Sequence, residues 1–417
     1  MSAHNHLFNS KTDPIPGLRR EIEIIPIEEN GDSYLYFHDM LGYATADLAL
    51  HRESGGLLSL LDGRKSISDL EPYLDSDITT DDLLKYVRFL DEHRLLDSRH
   101  FRDFAEQMEE RYEKADLHKS VTTGHSYPAD AGELKAWLDR AFSSYKDDKG
   151  PEIQGEIKAL YAPHIDPRIA IETYVESFAP IRRLRPEKVV ILGTSHYAGL
   201  YPGVYENRPF ILSKKDFELP LKTIPVDPNS TDRLAADGVE TGLSSNDRAH
   251  RLEHSIELHL LFLSYLWDHE FSIVPLLVND FEDLYYMEES HRAGQIDRFS
   301  SVLGSLVREE DAFVLISGDL SHVGQKFGDP QPAREMFGEI KSFDRLFLQH
   351  AVENDAEKML ALMKDRYDPY RVCGFPPLYT FLRAMPELKG HQLDYDIWDE
   401  SKRESAVSYG SVLYTRP

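Results

Sequence analysis

The sequence predicts an α/β fold whose mostly parallel sheet carries helices on both faces, with a small α+β unit in front of it. Three observations predict it. Short apolar runs at residues 157–161, 188–192, 273–278 and 312–316 alternate with segments of helical period. That order is expected of parallel strands buried on both sides. The pattern changes near Thr123, from a helix-rich front to this alternation. Finally, 417 residues with 41% apolar and 29% charged side chains are an ordinary globular composition, long enough for two or three domains.

Residues 1–20 are polar, contain Asp13, Pro14 and Pro16, and lack the apolar core of a signal peptide. They are expected to form a flexible arm on a cytoplasmic protein. Residues 21–27 set Ile22, Ile24, Ile25 and Ile27 among charges as a strand does, Asn30-Gly31-Asp32 is a turn, and residues 33–37 form a second strand. From Ala44 the period becomes helical, with Leu48, His51, Gly55 and Leu58 on one side, ending near Asp62-Gly63. Ser66 caps a short helix over 67–73. Thr79 or Thr80 caps another over 81–93, where Leu84, Val87, Leu90 and Leu95 recur at helical spacing. Residues 101–119 are charged and helical and serve as a linker, so the expected divisions are 1–20, 21–100, 101–123 and 124–417.

In the rear unit a helix over 131–142 precedes the first strand. Helices over 169–178, 255–268 and 299–307 separate the others, and 407–414 is a late strand. Chemistry follows each strand: Pro163-His164-Ile165-Asp166, then Thr194-Ser195-His196-Tyr197, then Ser317-Gly318-Asp319-Leu320-Ser321-His322. Open α/β sheets bind ligands outside the carboxyl ends of their strands, so His164, His196 and His322 are expected on one rim. A fourth segment, 370–374, is read as another strand end that delivers Cys373, and Gly193, Gly318 and Gly374 would let backbone approach closely. His254 and Glu257 share one face at the start of a helix, pointing into the site. His259 lies about 140° around that helix from His254, so a straight helix does not offer both to one ion.

Other classes fit poorly. Lys and Arg number 47 against 73 Asp and Glu, a net charge of −26 that argues against nucleic-acid or membrane-surface binding. One cysteine allows no intrachain disulfide and no zinc site of several thiolates. No apolar run approaches the roughly 18 residues of a membrane helix. His-Glu-x-x-His, a phosphate-binding glycine loop and a dinucleotide fingerprint are absent, and Gly193-Thr194-Ser195-His196-Tyr197 lacks the closing glycine of a nucleophile elbow.

Two resemblances follow. "LLDGRKSISDL" and "FLDEHRLLDS", within residues 57–98, have the helix order of a winged helix and resemble the PqqD peptide-chaperone domain. That resemblance implies leader-peptide binding, with simple packing as the other reading. Asp81, Asp82, Asp91 and Glu92 on the last helix argue against DNA. From about residue 124 onward, "SYPADAGELKAWL", "APHIDP", "LGTSHYAG", "EHSIELHLLFL", "VPLLV", "ISGDLSHVG" and "VCG" follow the order and spacing of the Memo family, whose microbial members are called AmmeMemoRadiSam system protein B. This resemblance implies a fold like class III extradiol dioxygenases and a mononuclear metal site on His164, His196 and Cys373. It implies His254, Asp319 and His322 as further pocket residues that handle protons and orientation.

Two imidazoles and a thiolate suit iron(II), copper(I) or zinc, and Asp319 or Glu257 would hold the other histidine nitrogens. The chain departs from the family in two places. His164 is followed by Ile165-Asp166-Pro167 rather than Ala-Gly-Tyr, which adds a carboxylate. Gly374 is followed by Phe375-Pro376 rather than Arg-His, which removes a basic pair. The expectation is a metal-dependent redox or dioxygenase-type enzyme using iron or copper on a small-molecule or peptide-borne substrate. The alternatives are a non-catalytic scaffold that docks a peptide or a radical-SAM partner, and a zinc hydrolase.

Overall fold

Asn30 and Gly31 both adopt positive φ, 53° and 91°. A tight hairpin needs that geometry to match the twist of its strands. The computed structural model, which describes residues 6–74, 77–145, 153–201, 203–287 and 290–416, pairs Ile22–Glu29 with Asp32–Asp39 across this turn. Ala49–His51 adds a third antiparallel strand on Asp32–Asp39. The helical period read from Ala44 is therefore corrected. Asp47 sits at φ 55°, which interrupts a right-handed helix, and Leu50 pairs with Leu35 instead.

The chain forms two compact units, Met1–Lys114 and Ala115–Pro417. In the front unit Phe37, Leu58, Ile67, Leu70, Val87 and Leu90 form a buried core. Ser66 and Thr79 each close a capping box, with Asp69 and Asp82 respectively, and these boxes start the helices Ile67–Leu70 and Thr80–Glu92. The expected flexible arm is packed over residues 6–20, while residues 1–5 of it lie outside those described. Ile15 joins the core, its amide bonding the Lys65 carbonyl at 2.9 Å. Arg19 is buried and forks onto Asp39 at 2.8 and 3.1 Å. The expected linker is corrected too. Arg99–Glu113 is a helix of the front unit, where Phe101 lies 4.0 Å beneath the Arg19 guanidinium and Tyr43 donates to Glu109. The division falls after Lys114, and Leu117–Lys119 is already a strand of the rear unit, paired with Asp216–Glu218.

The rear sheet has nine strands among the described residues. Its order is Leu243–Ser244, Phe210–Leu212, Ser272–Val278, Lys188–Thr194, Phe313–Ser317, Glu156–Ala162, Ser405–Arg416 and His322–Gly324, with Lys389–Glu400 also on Ser405–Arg416. The four central strands are parallel, whereas Phe210–Leu212 and Ser405–Arg416 run antiparallel to their inner neighbours. Both faces of the parallel strands are apolar, so both must be covered. Val190, Leu192, Val314 and Ile316 pack with Phe299, Phe347 and Phe375 from helices on one side. Pro167–Phe178 and Ser255–Leu266 also cover the central strands. Fully burying each such side chain stabilises the fold by about 1.5–3 kcal/mol relative to exposure. Among the described residues no helix is long and apolar enough to cross a membrane.

Candidate metal centre

Sheet register begins the site. Ser317 lies level with Ala162 on one side and Gly193 on the other, so three adjacent parallel strands end together. The next turns carry His164, Asp319 and His196 to the same rim. His322, expected at this strand end, instead opens the short strand His322–Gly324, paired with Ser405–Arg416. Cys373 is likewise not at a strand end. It sits in the turn before the helix Phe375–Ala384, whose first turn Pro376 and Pro377 favour because they lack the amide protons that a helix start leaves unpaired. Two glycines let this turn reach the rim. A Cβ on Gly318 would lie 2.2 Å from the Gly374 Cα, and one on Gly374 would lie 2.4 Å from the Tyr161 hydroxyl oxygen.

One donor atom each from His164, His196 and His254 lies within 4.8 Å of the other two, and the same holds for His164, Asp319 and Cys373. His164 belongs to both sets and is their centre. Its Nε2 is 3.4 Å from the Cys373 Sγ and 3.8 Å from the Asp319 Oδ2. Its Nδ1 is 3.2 Å from the Ser317 Oγ, which donates to the Ser255 carbonyl at 2.7 Å. With its proton so engaged, Ser317 can only accept from His164, which puts the imidazole proton on Nδ1 and leaves Nε2 with a lone pair.

His196 is held the same way by Glu253. This carboxylate is 2% exposed and accepts from the His196 Nδ1 at 2.9 Å and from its amide at 2.8 Å. It also takes the amides of His254 and Ser255, at 2.9 and 3.1 Å, where the helix Ser255–Leu266 begins. Burial would raise the Glu253 pKa, but His196 outweighs it and brings the group down to about 2. Burial opposes charge on His196, yet Glu253 and Cys373 push its pKa well above the ordinary imidazole value. Burial drives His164 well below it and His254 and His322 to about 4. Burial raises Asp319 to about 6 although the amides of His164 and Ile165 bond its Oδ1, and it raises Cys373 as well.

The rim thus brings together His164, His196, His254, Asp319 and Cys373. The His322 Nδ1 faces the carbonyls of Leu320 and Arg371 at 3.0 Å each. Glu257 is not part of the site. It is buried under the segment 121–127 and accepts from the amides of Val121 and Thr122 at 2.6 and 3.1 Å and from the hydroxyls of Thr122 and Tyr127. Asp166 caps the helix Pro167–Phe178 and pairs with Arg168. Glu253 and Ser317, which fix the imidazoles, were not assigned from sequence. The one available signal for Glu253 was an acid just before an apolar helix that has no Ser, Thr, Asp or Asn cap. His259 donates from Nε2 to the Pro163 carbonyl at 3.0 Å and so steadies the turn carrying His164. Beside His196 and Cys373 opens a cavity of about 290 Å³, walled by Phe281, Tyr285, Tyr367 and Val372 among others.

Residues 119–413 match the family model described as Memo-like protein. A MEMO1 family protein of Aquifex aeolicus is 25% identical over 404 residues, 95% of this chain and 100% of the relative. A MEMO1 family protein of Thermus thermophilus is 27% identical over 70% of this chain and 80% of its own length. The protein memo-1 homolog of Caenorhabditis elegans is 25% identical over 67% of this chain and 79% of its own.

Proposed function

The chain belongs to the Memo-like family, and on that premise we propose that it is a metal-dependent redox enzyme. His164, His196 and Cys373 would hold one iron or copper ion. The observation that carries this reading is the fixing of both imidazoles through Nδ1, by Ser317 and Glu253, beside a lone sulfur. An ion binding there would displace the protons of His196 and Cys373, and the two neutral nitrogens and thiolate so formed are a donor set that fits iron or copper. An iron or copper ion held there supplies one-electron and oxygen chemistry.

The protein's own groups do the rest. Glu253 and Ser317 orient the imidazoles. Asp319, bonded to the amides of His164 and Ile165, fixes the turn that carries His164. The His322 Nδ1 is committed to carbonyls, so its Nε2 is the atom that accepts or returns a proton. His254, stacked on His196 with ring centres 5.0 Å apart, is a second neutral proton acceptor. Phe281, Tyr285, Tyr367 and Val372 present aromatic and apolar surface to the space beside the donors.

Cobalt(II) titrated into the metal-free chain tests the donor set. A sulfur-to-cobalt charge-transfer band in the wild type and none in Cys373→Ser is the expected result. Oxygen uptake then tests the chemistry. The iron- or copper-loaded chain with ascorbate should consume oxygen faster than His164→Ala carrying the same added metal. Equal rates would overturn the redox reading. Zinc accepts the same donors and would support hydrolysis without oxygen uptake.

A further inference from the structure

We propose that the Tyr161 hydroxyl donates a hydrogen bond to the Cys373 sulfur when the site holds its ion, so that Tyr161 is a positioning residue of the metal centre. This rests on the donor set proposed above. The phenol sits on Glu156–Ala162, the strand that leads into the His164 turn, level with Ile316 on one neighbouring strand and Val412 on the other. All three side chains are fully buried. A phenylalanine would fill this place in an apolar layer equally well, so packing alone does not account for the hydroxyl. Its oxygen nonetheless has no hydrogen-bond partner among the described residues. Buried phenols normally have one, and a polar group left dry and unpaired lowers stability.

That oxygen ends against the turn that carries Cys373. A Cβ added to Gly374 would lie 2.4 Å from it and 2.7 Å from the Asp319 carbonyl oxygen. The Asp319 carbonyl is already taken: the Gly374 amide donates to it at 2.9 Å and the Cys373 thiol at 3.7 Å. The sulfur in turn accepts the Asp319 amide at 3.3 Å. Of these groups, the sulfur is the one whose capacity to accept grows when an ion binds. A thiol sulfur accepts weakly, whereas an ionised acceptor forms the stronger hydrogen bonds. Burial, then Cys373 and Asp319, push the phenol well above its ordinary pKa, so it keeps its proton and remains a donor. The unpaired hydroxyl thus stands as a second donor, beside the Asp319 amide, for charge that develops on sulfur. Hydrogen bonds to a ligating sulfur tune the ion it holds.

The test compares wild type, Tyr161→Phe and Tyr414→Phe, each as the full chain, metal-free and titrated with cobalt(II). Tyr414 is the control, an equally buried phenol in the same unit whose hydroxyl already donates to the Ala351 carbonyl at 3.1 Å. Metal-free Tyr161→Phe should unfold about 1–3 °C higher than wild type, because it loses an unpaired polar group, and metal-free Tyr414→Phe should unfold lower. With cobalt, Tyr161→Phe should bind about tenfold more weakly. Its sulfur-to-cobalt band should move to longer wavelength, since sulfur electrons no longer held by a hydrogen bond transfer at lower energy. Tyr414→Phe should keep the wild-type affinity and band. A lower metal-free midpoint in Tyr161→Phe would show that the hydroxyl already has a partner, and would overturn the proposal. So would a wild-type affinity or an unshifted band in that variant, or an equal shift in Tyr414→Phe. A wild type that shows no sulfur-to-cobalt band at all overturns the donor set and the proposal together. A wild-type band that Tyr161→Phe leaves in place overturns the proposal alone.

Discussion

The Nδ1 of His196 lies 2.9 Å from the Oε1 of Glu253, a carboxylate that also takes the first amides of the helix Ser255–Leu266. One buried acid therefore fixes both a donor imidazole and the helix start that carries His254. Glu253→Gln keeps an acceptor oxygen but removes the charge. It should weaken metal binding by about 10–100-fold, read by competition with a chromogenic chelator. Unchanged affinity would remove Glu253 from the account.

Glu257 gives the contrasting case, since it anchors the segment 121–127 rather than the rim. Glu257→Ala leaves the amides of Val121 and Thr122 and the Tyr127 hydroxyl without their acceptor. A loss on the order of 3 kcal/mol is expected, seen as a lower thermal midpoint. Metal stoichiometry of the folded variant should match the wild type. A variant of full stability that has lost metal would reverse the assignment.

Gly318 tests the close approach that admits the Cys373 turn. Gly318→Ala would place its Cβ 2.2 Å from the Gly374 Cα, against backbone that cannot rotate away. The variant should lose about 2–3 kcal/mol and much of its metal affinity together. Gly338→Ala, where an added Cβ meets nothing within 4 Å, is the control.

Much of this was legible beforehand, for definite physical reasons. The runs around Leu160 and Val190 announce parallel strands because both their faces are buried, and His164 and His196 follow them directly. Asn30-Gly31 announces its turn because few residues tolerate its φ values. The rest depended on distant partners. Ala49–His51 is a strand only because Asp32–Asp39 offers it an edge. Residues 6–20 are ordered by Arg19 meeting Asp39 and by Ile15 reaching the core. Glu253 and Glu257 stand four apart on the same stretch, and only the fold reveals which one faces the imidazoles. Cys373 follows no strand, because Pro376 and Pro377 just after it favour a helix start over a strand.

The front unit should show an acid transition centred on Asp39. Burial would raise its pKa, but Arg19 and the amides of Ala44 and Leu41 hold it below the ordinary value. A carboxylate depressed in the folded state contributes its stabilisation above the unfolded pKa, about 3.9, and loses it as pH falls toward the folded value. Hydrogen exchange of peptides covering residues 22–44, corrected for intrinsic rates, should show protection falling below about pH 4. Asp39→Asn should be less protected at neutral pH and lack that acid-dependent loss. An identical pH profile in the two proteins would contradict this.

The central claim is that His164 and Cys373 bind one metal ion together, and metal content tests it most directly. The wild type, His164→Ala and Cys373→Ala are purified anaerobically, matched for folding by circular dichroism, and analysed by mass spectrometry for iron, copper and zinc. The account predicts about one equivalent in the wild type and a large deficit in both variants. Equal metal in all three folded proteins would contradict it.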